Sequence, residues 1–205
     1  MPADSLAVFF SASLLLALAP GPDNLFVLSL SLNHGRRAGL LVVAGLCSGL
    51  LVHTSIVATG LAAALATYPS ALKLITTIGA LYLVYLAWLY WRSASIHTAP
   101  PPAPTTGARL YLRGFIMNVS NPKVGLFFLA FLPQFVDPAG PQPALQVVIL
   151  GILFILSTVV IFGGIALLAG RYNQRIAENP LHQRWMNRVT SLVLLLLALN
   201  LLLGG

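Results

Sequence analysis

Charge is scarce in this sequence, and negative charge scarcest. Of 205 residues, four are Asp or Glu and eleven Lys or Arg, so 7% are charged. A soluble domain carries about 25%, and a water-soluble globular fold is thereby excluded. Cysteine is rarer still. Cys47 stands alone, which excludes a disulfide framework and paired-thiol redox chemistry within the chain. The four histidines, His34, His53, His97 and His182, are scattered without metal-ligand spacing, so no metal site is expected. Positive charge is missing ahead of the first apolar run, where residues 1–5 hold one acid and no Lys or Arg. A signal peptide needs a positive n-region. Ala17-Leu18-Ala19 resembles a cleavage site, but the stretch reads as a retained first span.

What the sequence does have is apolar length. Hydrophobic residues make up 58% of it, which defines an integral membrane protein, and spans with short loops account for residues 1–205 as one domain. A span takes about 20 apolar residues. Six candidates appear, at 6–32, 38–66, 72–91, 112–136, 144–169 and 189–203, the last extending back toward Trp185. The net charge of +7 does not indicate a nucleic-acid partner, because the basic residues follow the loops. Arg36 and Arg37 follow the first span; Arg92, Arg109 and Arg113 lie between the third and fourth; Arg171, Arg175, Arg184 and Arg188 follow the fifth. The opposite loops hold only Lys73 and Asp137. The positive-inside rule places the arginine loops in the cytoplasm and both termini outside. Trp88, Tyr90, Trp91 and Trp185 flank the same loops, as interfacial aromatics do. Segment 172–187 reads equally as an amphipathic helix or a basic loop.

Two interruptions organise the chain. Pro20-Gly21-Pro22-Asp23-Asn24 breaks the first span and Ser120-Asn121-Pro122-Lys123 breaks the fourth. Aligning Pro22 with Pro122 gives an offset of 100 residues and sets Asp23 opposite Lys123. The proline-rich stretch 93–110 reads as a linker between repeat one (5–92) and repeat two (111–205). Three spans per repeat is an odd number, so the second repeat enters the membrane inverted. The expected fold is all-α: six transmembrane helices as two inverted-topology three-helix repeats, with helices 1 and 4 broken. Secondary transporters bind substrate at such breaks.

The breaks supply the candidate site. Asn121 suits an N-cap and Pro122 the N1 position; Gly21 and Pro22 suit the same places in the first break. Each break thus offers the positive end of a half-helix at depth. Asp23 suits that end. Lys123 opposes it and requires an anion, which Asp23, a substrate carboxylate, or both could supply. Counting 1.5 Å per residue from the span ends puts Asp23 roughly 13 Å and Lys123 roughly 17 Å from the cytoplasmic side. The two readings of the pair are a transport site and a permanent ion pair locking the halves. Asn24, Asn118, Ser120 and Asn121 either line a site or satisfy backbone freed by the prolines. His53 is read as an interhelical hydrogen-bonder, with a pocket role kept open. Tyr82, Tyr85 and Cys47 read as packing residues, and Gly45 with Gly49 as a close-packing pair.

At these motifs the sequence resembles the LysE/RhtB family of amino-acid exporters. The matching stretches are PGPDN at 20–24, GRRAG at 35–39, GLCSG at 45–49, YLVYL at 82–86, NPK at 121–123 and FLPQF at 131–135. The resemblance implies a multi-pass bacterial inner-membrane protein that exports amino acids or close derivatives, with protons as coupling ion. It implies no enzyme activity and no cofactor, and leaves a homodimer open. Ala87, and Thr190-Ser191, stand where glycines are expected, which touches packing rather than the breaks. A metal-ion exporter is the alternative, although the loop after the third span offers only His97. Electron transfer as in distant relatives of the superfamily would need a second cysteine.

Overall fold

The structure, a computed structural model, describes residues 1–19, 21–67, 69–92, 106–137, 140–169 and 180–203. Pro20, His97, nearly all of the expected linker and residues 172–179 lie outside them. Every element among the described residues is helical: α1 (Ala3–Leu18), α2 (Pro22–His34), α3 (Arg36–Thr67), α4 (Pro69–Arg92), α5 (Gly107–Val119), α6 (Pro122–Leu126), α7 (Pro143–Leu168) and α8 (Pro180–Leu203). A π-helical turn, Phe127–Phe131, and a 3-10 turn, Leu132–Phe135, extend α6.

Proline writes most of the boundaries. α2, α4, α6, α7 and α8 each begin on one, since the first helical turn needs no N–H there and its φ is preset. Thr106 caps α5 by accepting from the backbone N–H of Arg109 at 3.3 Å. Gly35, at φ +83°, separates α2 from α3, a backbone that residues with a Cβ avoid.

Two helices, over Arg36–Gly60 and Pro143–Leu168, are long and apolar enough to cross a membrane. The α1–α2 pair, bent by 61°, and the α5–α6 pair, bent by 48°, pass the same test jointly, which makes up to four spans by length and composition. The outward faces are apolar too: Leu51, Ile56, Ile152, Leu156, Val160, Leu196 and Leu199 are all exposed. Such faces mark a lipid-facing surface, and the protein is a multi-pass membrane protein.

Close contacts fix the helix directions. α3 and α5 run parallel in backbone contact. A Cβ on Gly45 would strike the carbonyl of Tyr111 and lie 2.7 Å from the N of Phe115, and one on Gly114 would strike the carbonyl of Val42. α3 and α7 run antiparallel, with Gly39 against Ala166 and Gly151 against Thr54. α4 and α8 are also antiparallel: Ser191 donates to the Ala87 carbonyl at 2.7 Å, and the Arg188 guanidinium lies 5.5 Å from the Trp91 ring. Arg36, Arg37, Arg109 and Arg113 consequently gather at one end of the α3–α5 pair, while Arg92 and Arg188 lie against Trp88 and Trp91 on the α4–α8 pair.

The core divides in two. An aromatic cluster gathers Phe9, Phe127, Phe128, Phe131 and Phe154 around Leu50, Leu83 and Leu194. A mainly aliphatic cluster nearer Arg36 and Arg109 holds Val27, Leu30, Val42, Leu46 and Ala166 together with Phe162. Along α3 the change falls between Leu46 and Leu50, and along α7 between Phe154 and Phe162. The two breaks lie at that level.

Candidate functional site

In the first break, α1 ends at Leu18 and Ala19 donates back to the Leu15 carbonyl at 3.0 Å. Gly21 takes an extended backbone as N-cap of α2, and Pro22 follows at N1, as the sequence implied. The end of α1 leaves carbonyls without helical partners. Asn24 donates to the Ala17 carbonyl at 2.8 Å. Lys123 Nζ, from the other break, donates to the Leu16 and Ala19 carbonyls at 3.3 and 3.4 Å. The lysine thus sits on the negative end of a helix dipole.

The second break is built alike. Asn121 caps α6, its Oδ1 accepting from the Lys123 backbone N–H at 3.0 Å, and Pro122 is at N1. Two carbonyls near the end of α5, each already accepting a backbone N–H, gain a second donor. Ser120 Oγ donates to the Ile116 carbonyl at 2.7 Å. His53 Nε2 lies 3.2 Å from the Asn118 carbonyl; a carbonyl only accepts, so the imidazole donates. His53 is the interhelical hydrogen-bonder that its sequence position implied.

Asn121 also joins the breaks. Its Nδ2 donates to Asp23 Oδ2 at 2.7 Å. Asp23 occupies the first turn of α2 and is 7% exposed, so the helix N-terminus and the amide both face its charge. Among the described residues, no carboxylate oxygen lies within 4.0 Å of Lys123 Nζ. A permanent Asp23–Lys123 ion pair is therefore not what joins the halves, and the anion expected beside Lys123 is replaced by backbone carbonyls of α1.

A cavity of about 30 Å³ lies between the breaks, lined in part by Gly21, Asp23, Asn24, Asn118, Asn121 and Lys123. It takes a water or two, since one water needs roughly 10–15 Å³, and is too small for an amino acid. Pro22, Pro122 and Ser120 are exposed outside it, and His53 stands behind Asn118 rather than in the lining. Seven lining residues escape the sequence reading: Leu16, Ala17, Leu46, Val124, Phe154, Thr158 and Phe162. Tyr90 was also misplaced, as an interfacial aromatic. Its hydroxyl lies 3.4 Å from where a Gly21 Cβ would stand, beside Lys123 Nζ at 3.7 Å from the same point. The signal for it was register, because Tyr90 continues the buried row Ala80, Leu83, Ala87 on α4.

Interrupted helices meeting at a polar cavity inside an apolar bundle define a class, that of helical membrane proteins with broken spans. Within that class, the chain belongs to the LysE type translocator family, whose model matches residues 14–205. It is 34% identical over 184 residues to a homoserine/homoserine lactone efflux protein of Salmonella typhimurium, covering 88% of this chain and 87% of the relative. It is 36% identical over 172 residues to an uncharacterized membrane protein of Vibrio cholerae, covering 80% and 82%. A leucine efflux protein of Salmonella choleraesuis is 29% identical over 144 residues, covering 69% and 68%. No solved structure matches the chain significantly.

Proposed function

We propose that the protein is a secondary transporter that exports amino acids across the bacterial inner membrane, with the site at the two breaks. One observation carries this reading. Asp23 and Lys123 line one cavity, yet each is held by neutral groups rather than by the other. An acid and an ammonium kept apart form a receptor for a zwitterion. The substrate ammonium meets Asp23. Its carboxylate meets Lys123, which spends two of its three donors on carbonyls, and the N-terminus of α6. The relatives named for homoserine and leucine efflux support an amino-acid substrate.

The closed cavity suits alternating access, with the aromatic and aliphatic clusters parting in turn. Exchange of the two halves maps helix pairs onto helix pairs: α3 against α5 becomes α7 against α1, while α3–α7 and α4–α8 map onto themselves, and these pairs all pack together. That pattern supports six spans in two inverted repeats, with α4 and α8, of 24 residues each, as the third and sixth. The arginine end then faces the cytoplasm. Among the described residues, Asp23 is the only acid lining the cavity, so it is the group to carry a proton inward after releasing the substrate ammonium.

Cells loaded with dipeptides test the reading. The wild type releases amino acids faster than a strain lacking the protein, and Asp23→Asn and Lys123→Met do not. Full-rate export by both variants at normal expression would remove the breaks from the transport path.

A further inference from the structure

Gly21 is a glycine that neither backbone nor packing demands. At φ −150° and ψ 177° its backbone is extended and open to any residue, and a Cβ built on it would meet nothing closer than 3.4 Å. The three atoms nearest that point are all polar and come from three helices. They are Tyr90 Oη of α4 at 3.4 Å, Lys123 Nζ of α6 at 3.7 Å and Asn24 Oδ1 of α2 at 3.8 Å. Gly21, Asn24 and Lys123 line the cavity between the breaks, and Tyr90 reaches the same point with its ring packed against the aromatic cluster. Among the described residues its hydroxyl makes no hydrogen bond. Lys123 keeps one donor after the Leu16 and Ala19 carbonyls. Asn24 gives its amide nitrogen to the Ala17 carbonyl, which leaves its oxygen toward the point. The missing side chain thus opens a niche with two donors and one acceptor.

We propose that Tyr90 is a substrate-binding residue, and that the space beside Gly21 receives the substrate carboxylate between Tyr90 and Lys123. This rests on the exporter reading, and it gives α4 a part in a site otherwise built from the two broken helices. One carboxylate oxygen accepts from Tyr90 Oη and the other from Lys123 Nζ. Hydrogen bonds to an ionised acceptor are roughly twice as strong as neutral ones. A hydrogen bond spans about 2.7–3.2 Å, so an oxygen near the Gly21 point needs only a small shift toward either donor. The ammonium, one carbon away, meets Asn24 Oδ1 beside Asp23. The niche is already formed in the closed cavity, which must widen for the rest of the substrate. Any side chain at position 21 would stand in the carboxylate's place. Serine caps a helix at least as well as glycine, so capping alone does not account for Gly21.

Proteoliposomes loaded with the standard amino acids and homoserine show which is released fastest, and its export is then followed against concentration. Tyr90→Phe keeps the ring and loses only the hydroxyl. Its KM rises about tenfold, the equivalent of one good hydrogen bond, with the melting temperature unchanged. The α-amide of the same amino acid, which has no carboxylate, inhibits the wild type and Tyr90→Phe equally. Gly21→Ser melts no lower than the wild type, yet its KM rises at least about tenfold. Tyr85→Phe, exposed on the same helix, exports as the wild type does. If one of the two site variants does not accumulate, the other decides. A wild-type KM in Tyr90→Phe or in Gly21→Ser overturns the proposal. So does a Tyr90→Phe protein that loses kcat alone, because the hydroxyl then serves the cycle rather than the substrate. A wild type that releases none of these amino acids is a different result: it removes the exporter reading, and the proposal with it.

Discussion

Asn121 donates to Asp23 at 2.7 Å while its own Oδ1 accepts from the Lys123 backbone at 3.0 Å. One amide thereby caps the second half-helix and holds the acid of the first. Two residues 98 positions apart are joined by a neutral group, so the charge of Asp23 is stabilised without being cancelled.

Asn121→Ala removes both bonds. Loss of an N-cap costs about 1 kcal/mol, and a buried carboxylate short of a donor costs about 1–3 kcal/mol more. The variant is expected to melt several degrees lower in detergent and to export nothing. An unchanged melting curve would show that the amide does not hold the breaks together.

Asp23 and Lys123 share Asn121 and line one cavity without a direct contact, so their removal is expected to be coupled. Stability losses of Asp23→Asn and Lys123→Met, measured by denaturation in micelles, should differ in sum from that of the double variant by about 0.5–3 kcal/mol, as for residues in one hydrogen-bond network. Lys123→Met is the more costly, because it leaves the Leu16 and Ala19 carbonyls unpaired. A double variant more stable than either single one would restore the direct ion pair.

These contrasts show what sequence could reveal. Gly21, Pro22, Asn121 and Pro122 announce helix starts through local chemistry, and the half-helices begin where they stand. The last helix departs from expectation: α8 begins at Pro180, ahead of the start expected near Trp185. Partnership was harder. Lys123 reaches the Leu16 carbonyl across 107 residues, a match set by the relative height of two helices that no local pattern encodes. Counting residues from the span ends brought Asp23 and Lys123 to one level. It could not show that Lys123 would turn to the carbonyls of α1. Thr158 was invisible because a hydroxyl that bonds its own helix four residues back looks like any packed threonine.

The seam between α3 and α5 leaves no room for a side chain. Gly45→Ala and Gly114→Ala each force Cβ onto backbone, and overpacking of this kind costs about 1–3 kcal/mol. Both should accumulate poorly and melt early. Gly164, with nothing within 4 Å of its Cβ position, provides the comparison: Gly164→Ala is expected to match the wild type. Equal melting of all three would mean the helices are not in contact.

Ala87 and Ser191, where the resemblance led one to expect glycines, touch one another. Ser191 donates to the Ala87 carbonyl at 2.7 Å, both residues being buried. Hydrogen bonds between membrane helices average about 0.6 kcal/mol, so Ser191→Ala should lower the melting temperature slightly and leave export in place. Loss of export at normal expression would place the α4–α8 contact in the transport cycle.

Reporter fusions test the orientation. A reporter at Pro102 is expected to read cytoplasm and one at Gly140 the periplasm, in line with the arginines gathered at one end. The opposite pattern would reverse the orientation and with it the direction in which the site is loaded.

Where Gly45 meets Tyr111 and Gly114 meets Val42, backbone rests on backbone. Such a joint has no play, so α3 and α5 must swing together as one lever. Asn121, at φ −77° and ψ 107°, stands where that lever meets α6, and its amide also holds Asp23. The hold on the acid and the joint of the second break are thus expected to be one residue, and a substitution that stiffens it is expected to slow export.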